Sequence, residues 1–149
     1  MILIFSVVTI LPVGLMTGVE FAVWAFINPI LFKLDEHARD EAVRLFGLKL
    51  GKVMPFWYVG NFLLLIAECV FLRGQQTIRY LVAASGFWAV AILLSLIVLV
   101  PINNRIVRAD GTLTPEQLHG QHRKWDAMHR VRVVTLCAAY ALLLLGMHF

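Results

Sequence analysis

"YLVAASGFWAVAILLSLIVLV", Tyr80–Val100, contains no charged residue from end to end. A helix needs about 20 mostly apolar residues to cross the hydrocarbon layer of a bilayer, and this stretch has that length. Three further stretches read the same way: Ile2–Phe32, Val53–Leu72 and Val131–Phe149. The chain of 149 residues is 60% hydrophobic and only 15% charged, whereas soluble domains lie near half apolar and a quarter charged. The sequence therefore predicts an all-α fold. It is a single four-span transmembrane domain over residues 1–149, an integral membrane four-helix bundle solvated by lipid. The first stretch is apolar from Met1 and lacks a basic leader, so it is expected to be a retained span rather than a signal peptide.

The net charge of +4 does not indicate nucleic acid, because the basic residues are confined to the connections. Lys33, Arg39, Arg44, Lys49 and Lys52 flank the first connection. Arg105, Arg108, Arg123, Lys124, Arg130 and Arg132 follow the third span, and only Arg73 and Arg79 lie between the second and third. Positive charge gathers on the cytoplasmic side of a membrane. Both long connections are therefore expected in the cytoplasm and both termini outside, in a bacterial-type inner membrane. "LDEHARDEAVRLFGLKLGK", residues 34–52, mixes charges with Leu34, Val43, Phe46 and Leu50 and predicts a short amphipathic interfacial helix. Asp110-Gly111 is a turn signal. Thr114 with Pro115 behind it starts a helix expected to run into the fourth span. Cys69 and Cys137 lie in apolar segments and read as small hydrophobes.

Glu20 and Glu68 lie within spans. An ionisable residue in lipid costs about 2.5–3.5 kcal/mol on insertion scales, so each is expected to face the bundle interior. Counted from Lys33 and Lys52, their depths are roughly 20 and 24 Å. Neighbouring helices could bring them together, and the two carboxylates would then share a proton. Asn61 is a further interior candidate. Gly14 and Gly18 allow close helix approach. Pro12 is expected to bend the first helix, and Pro55 suits the first turn of the second span.

"VPINNRIVRADGTLTPEQLHGQHRKWDAMHRVRVV", Val100–Val134, is unusually rich in Asn, His and Arg for a connection. At about 100° per residue, His122, Trp125, Asp126, His129 and Arg132 fall on one helical stripe. Pro101 is expected to end the third span with Asn103 and Asn104 beside it, and Asn28 to end the first. These residues gather at one mouth of the bundle. They can cap helix ends and anchor the interface. They can also bind and deprotonate an organic ligand, with His129 as base, Arg132 as oxyanion partner and Trp125 as stacking surface. A third arrangement uses His122 and His129 with Asp126 or Glu20 around a metal, or a single axial His on haem. Two His at i and i+7 stand about 10 Å apart, which is poor for one metal.

"GVEFAVWAFINPILFKL", "LGKVMPFWY", "PINNRI" and "WDAMHRVR" together resemble the small integral-membrane family classed as a domain of unknown function (DUF1772), whose best-known members are the anthrone oxygenases. The resemblance covers nearly the whole chain. Its most specific parts match as Pro101, Asn103, Asn104, Trp125, His129 and Arg132. It implies a four-helix membrane bundle and oxygenation of an anthrone to an anthraquinone without an obvious cofactor. The expected ligand is a small lipophilic aromatic or quinol-type molecule. Expected catalytic residues are His129, Arg132 and Glu20, with Trp125, Asn103, Asn104, Asn61 and Asn28 binding substrate and no metal. A non-enzymatic membrane module that binds a small ligand or haem, or an assembly factor, is the alternative.

The charge asymmetry makes a direct prediction. A reporter active only outside the cytoplasm, fused to the C-terminus, should be active. Activity confined to a cytoplasmic reporter would overturn the orientation.

Overall fold

A computed structural model describes residues 2–108 and 113–147, and its described residues are helical with no strands. Four helices are long and apolar enough to cross a membrane: Leu3–Leu31, Glu36–Phe71, Ile78–Val107 and Pro115–Gly146. Their outward faces are apolar, as in Phe56, 81% exposed, and Ile97, 71% exposed. Such a surface along helices whose backbone bonds are internal suits lipid. The chain is a multi-pass membrane protein.

The first span comprises α1 (Ile2–Ala22), a π turn at Val23–Ile27 and α2 (Asn28–Leu31). The third comprises α4 (Ile78–Leu94), a π turn at Ser95–Leu99 and α5 (Val100–Val107). The second is α3 (Glu36–Phe71) and the fourth α6 (Pro115–Gly146). α6 packs most extensively on α4 and also on α1, while α3 packs on α4, α5 and α1. The helices thus form a ring of four, with α3 and α6 nearly diagonal.

Two expected helix boundaries move. Pro101 does not end the third span, and Asn28 does not end the first. Pro101 and Pro29, the residue after Asn28, each come just after a π turn, in which the Asn28 N–H reaches Val23 O and the Val100 N–H reaches Ser95 O. The wider turn absorbs the missing proline N–H, and the helix continues. The amphipathic stretch is likewise not a separate helix. It forms the first turns of α3, capped by Asp35, whose side chain accepts from the Ala38 N–H at 3.0 Å. At Gly47 a Cβ would meet Asn103 Oδ1 at 2.8 Å and Val107 Cγ2 at 2.9 Å. The glycine therefore lets α5 lie against these turns and hold them in line with the span.

Thr114 and Gln117 cap α6 reciprocally. The expected turn at Asp110-Gly111 lies outside the described residues. The apolar core joins Leu81, Ala84 and Trp88 of α4 to Leu136, Ala139 and Leu143 of α6, with Val13 and Met16 of α1. Tight approaches hold it. A Cβ at Gly146 would overlap the Leu81 side chain at 2.5 Å, and one at Gly14 would meet the Tyr140 hydroxyl at 2.8 Å. A Cβ at Gly18 would meet nothing within 4 Å, so only the first of the two glycines serves close packing. The other half of the bundle, toward the long connections, is polar inside.

Candidate active site

Glu20 is 1% exposed and Arg132 8%, so a carboxylate and a guanidinium are buried inside a lipid-solvated bundle. Arg132 Nη2 donates to Glu20 Oε2 at 2.6 Å and to His129 Nδ1 at 3.0 Å, while Nη1 donates to Ser95 Oγ at 3.1 Å. The Tyr58 hydroxyl donates to Glu20 Oε1 at 2.8 Å. All four spans thus converge here, through Glu20, Tyr58, Ser95 and the pair His129–Arg132. Neither Tyr58 nor Ser95 was among the expected site residues. Tyr58 continues, one turn earlier, the buried stripe of Asn61, Leu65 and Glu68 on α3, and that stripe was the signal for it.

The bonds settle the tautomer of His129. Arginine cannot accept, so Nδ1 must be the acceptor and the ring proton sits on Nε2. Nε2 then donates to the Glu20 carbonyl oxygen at 3.1 Å. Glu20 Oε2 also lies 3.3 Å from Nδ1. Nδ1 therefore has a donor beside it in the neutral state and a carboxylate beside it for a protonated one. Three of the five Arg132 N–H donors are used in these bonds, and its buried Nε–H has no hydrogen-bond partner among the described residues. Buried donors are seldom left so.

These groups lie at one side of a cavity of about 180 Å³ whose remaining walls are mostly apolar, including Met54, Ile92 and Leu99. The Trp125 indole stacks on the His129 ring at 4.7 Å between centroids and 11° between planes, and both residues line the cavity. Val23, Leu50, Asn103 and Trp125 also line a second chamber of about 60 Å³ toward the long connections.

The expected residues divide accordingly. His129, Arg132, Glu20, Trp125 and Asn103 line the main cavity. Asn28 lines the second chamber and donates to Asp126 Oδ1 at 2.6 Å. Asn104 is exposed and lines neither. Asn61 lines neither, and its amide donates to the Pro12 carbonyl at 3.2 Å, beside the Trp57 indole N–H. Glu20 and Glu68 do not meet. Glu68 is buried next to the Thr9 and Ser6 side chains. Tyr58 and Glu68 are ten residues apart on α3, about 15 Å of rise. The convergence of His122 and His129 needed for a shared metal does not occur. His122 stacks on Phe32 at 4.5 Å and lines the second chamber. Among the described residues no group of three or more His, Cys, Asp or Glu side chains is placed to hold a metal ion.

A family model described as anthrone oxygenase matches residues 44–142. This chain belongs to the anthrone oxygenase family. The match takes in Tyr58, Ser95, Asn103, Trp125, His129 and Arg132, whereas Glu20 and Asn28 precede it. No curated protein and no solved structure matches the chain.

Removing one member of a buried ion pair strands the other, at a cost of about 3–5 kcal/mol, whereas removing both can be nearly neutral. Arg132→Leu should therefore lower the unfolding temperature in detergent more than Glu20→Leu/Arg132→Leu does. A double variant as unstable as the sum of the two singles would contradict this energetic role for the pair.

Proposed function

We propose that the protein is a membrane-embedded oxygenase that converts the methylene of a lipophilic anthrone-like aromatic into a carbonyl with dioxygen. The observation that carries this reading is the buried Arg132 guanidinium, fixed by Glu20 and Ser95, on a residue that lines a mostly apolar cavity and whose Nε–H has no partner among the described residues. Such a donor suits an oxygen that becomes negative during reaction. The family membership supports the same chemistry.

The methylene of an anthrone lies opposite a ring carbonyl, and its proton is acidic because the anion delocalises onto that oxygen. His129 Nδ1 takes the proton. To do so it gives up the hydrogen bond from Arg132, and the new N–H donates to Glu20 Oε2. The released Nη2–H and the Nε–H of Arg132 are then free for the enolate oxygen at the moment its charge develops. Trp125 supports the flat ring system. The carbanion passes an electron to dioxygen, and recombination forms a carbon–oxygen bond and a peroxide anion. That anion recovers the proton from His129. Loss of the second methylene proton with cleavage of the O–O bond leaves the carbonyl and one water. Carbon loses four electrons and dioxygen gains four, so the substrate and dioxygen balance between themselves.

His129→Ala in lipid nanodiscs, assayed well below its own unfolding temperature, should lose anthrone turnover about 10²–10⁴-fold, the usual cost of losing a positioned base. Undiminished turnover would remove His129 from the mechanism. Saturable binding of anthraquinone by the unaltered protein, with no turnover of anthrone, would favour a non-enzymatic ligand-binding module.

A further inference from the structure

The main cavity has one end at the buried cluster and another at the surface of the bundle. Its lining includes Val59 of α3, with Leu96 and Val100 of the third span. These residues are 51%, 60% and 39% exposed, on helix faces that meet lipid. The same cavity is lined by Glu20, His129 and Arg132, all at least nine-tenths buried. The lining of one cavity therefore runs from lipid-facing side chains to the polar cluster, where Arg132, 8% exposed, is its most accessible charged group.

The opening has a structural cause. α3 packs on α4 and on α5 but, among the described residues, has little or no contact with the π turn between them. That turn places Ser95 inward under Arg132 and leaves Leu96 and Ile97 facing out. The seam between the second and third spans is thus closed at both ends and open in the middle. Val59 lies seven residues from Lys52 and Leu96 nine from Arg105, about 10 and 14 Å of helix rise. The opening therefore lies within the acyl-chain layer beside the long connections. Toward those connections Trp125, Asn103 and Leu50 separate the cavity from the smaller chamber.

We propose that the ligand enters sideways from the bilayer, through the slot between α3 and the π turn Ser95–Leu99, and that it is a flat apolar molecule with an acceptor oxygen at its leading edge. The rim of Val59, Leu96, Val100 and Pro55 bears no charge, so it admits what lipid dissolves and offers nothing to a hydrated solute. The leading oxygen meets Arg132, the only strong fixed donor array on the cavity wall among the described residues. Dioxygen, which partitions into hydrocarbon, can follow the same path. The nature of the ligand rests on the oxygenase reading, whereas the path rests on the shape of the bundle alone.

The path can be tested without turnover. An uncharged aryl diazirine dissolved in nanodisc lipid should, on irradiation, label Trp125 or His129, which trypsin releases together in the peptide Trp125–Arg130. In the variant Val59→Phe/Leu96→Phe, two apolar exchanges on lipid-facing positions, that labelling should fall severalfold while labelling of Phe56 is unchanged. A water-soluble charged diazirine should label the peptide weakly in both proteins. Absence of label in the unaltered protein, equal labelling in the filled variant, or stronger labelling from water would each overturn the proposal. Anthrone turnover measured on the same samples tests the oxygenase reading separately.

Discussion

Arg132 and Glu20 come from spans separated by most of the chain, yet their charges lie 2.6 Å apart inside the bundle. In lipid neither charge can remain alone, and each needs its remaining hydrogen-bonding capacity met nearby. This demand recruits one residue from each of the other spans. Tyr58 supplies the second donor to the carboxylate, and Ser95 accepts from the guanidinium. The positions of four helices are thus referred to one cluster. Trp88, fully buried, donates to the Tyr58 backbone carbonyl at 3.0 Å and ties that cluster to the apolar core beyond it.

The two halves of the bundle follow from this arrangement. Away from the long connections, small residues and glycines let α4 and α6 pack closely, and the space is filled. Toward the connections, the π turns before Pro29 and Pro101 break the regular helix face, and the space is left partly open. One π turn begins three residues after Glu20 and the other begins at Ser95 itself. Pro101, which reads as a helix end, instead follows a π turn whose Ser95, Leu96 and Leu99 line the cavity, and Val23 of the other π turn lines it too. A π turn inside an otherwise regular helix is frequent at functional sites, and here both border the same cluster.

Much of this was legible in the sequence, and the divisions have physical reasons. Hydropathy is a property of composition over a window, so the four spans could be read directly. The stripe of His122, Trp125, Asp126, His129 and Arg132 follows from helical angle alone, and apart from the half-buried Trp125 its members are buried on α6. That Glu20 must face inward follows from the cost of charge in lipid. Its partner did not follow. The depth count set Lys33 and Lys52 at one level, but Tyr58 meets Glu20, Asn61 meets Met16 and Glu68 lies by Thr9. In that antiparallel register Lys52 lies about two turns deeper than the level of Lys33, because α3 begins well before its apolar part. The count therefore placed Glu68 beside the wrong neighbour. Asn61 is legible as an interior residue from its place within the second span, and it is buried. The Pro12 carbonyl that satisfies it lies on another helix and leaves no trace in local sequence.

The account turns on whether this cluster performs oxygen chemistry. The most direct measurement supplies ¹⁸O₂ and anthrone to the purified protein in nanodiscs, with protein-free nanodiscs alongside. The account predicts anthraquinone formed well above the spontaneous rate, with one ¹⁸O atom in the new carbonyl. Product formation no faster than in the protein-free discs, or a new carbonyl without the label, would contradict it.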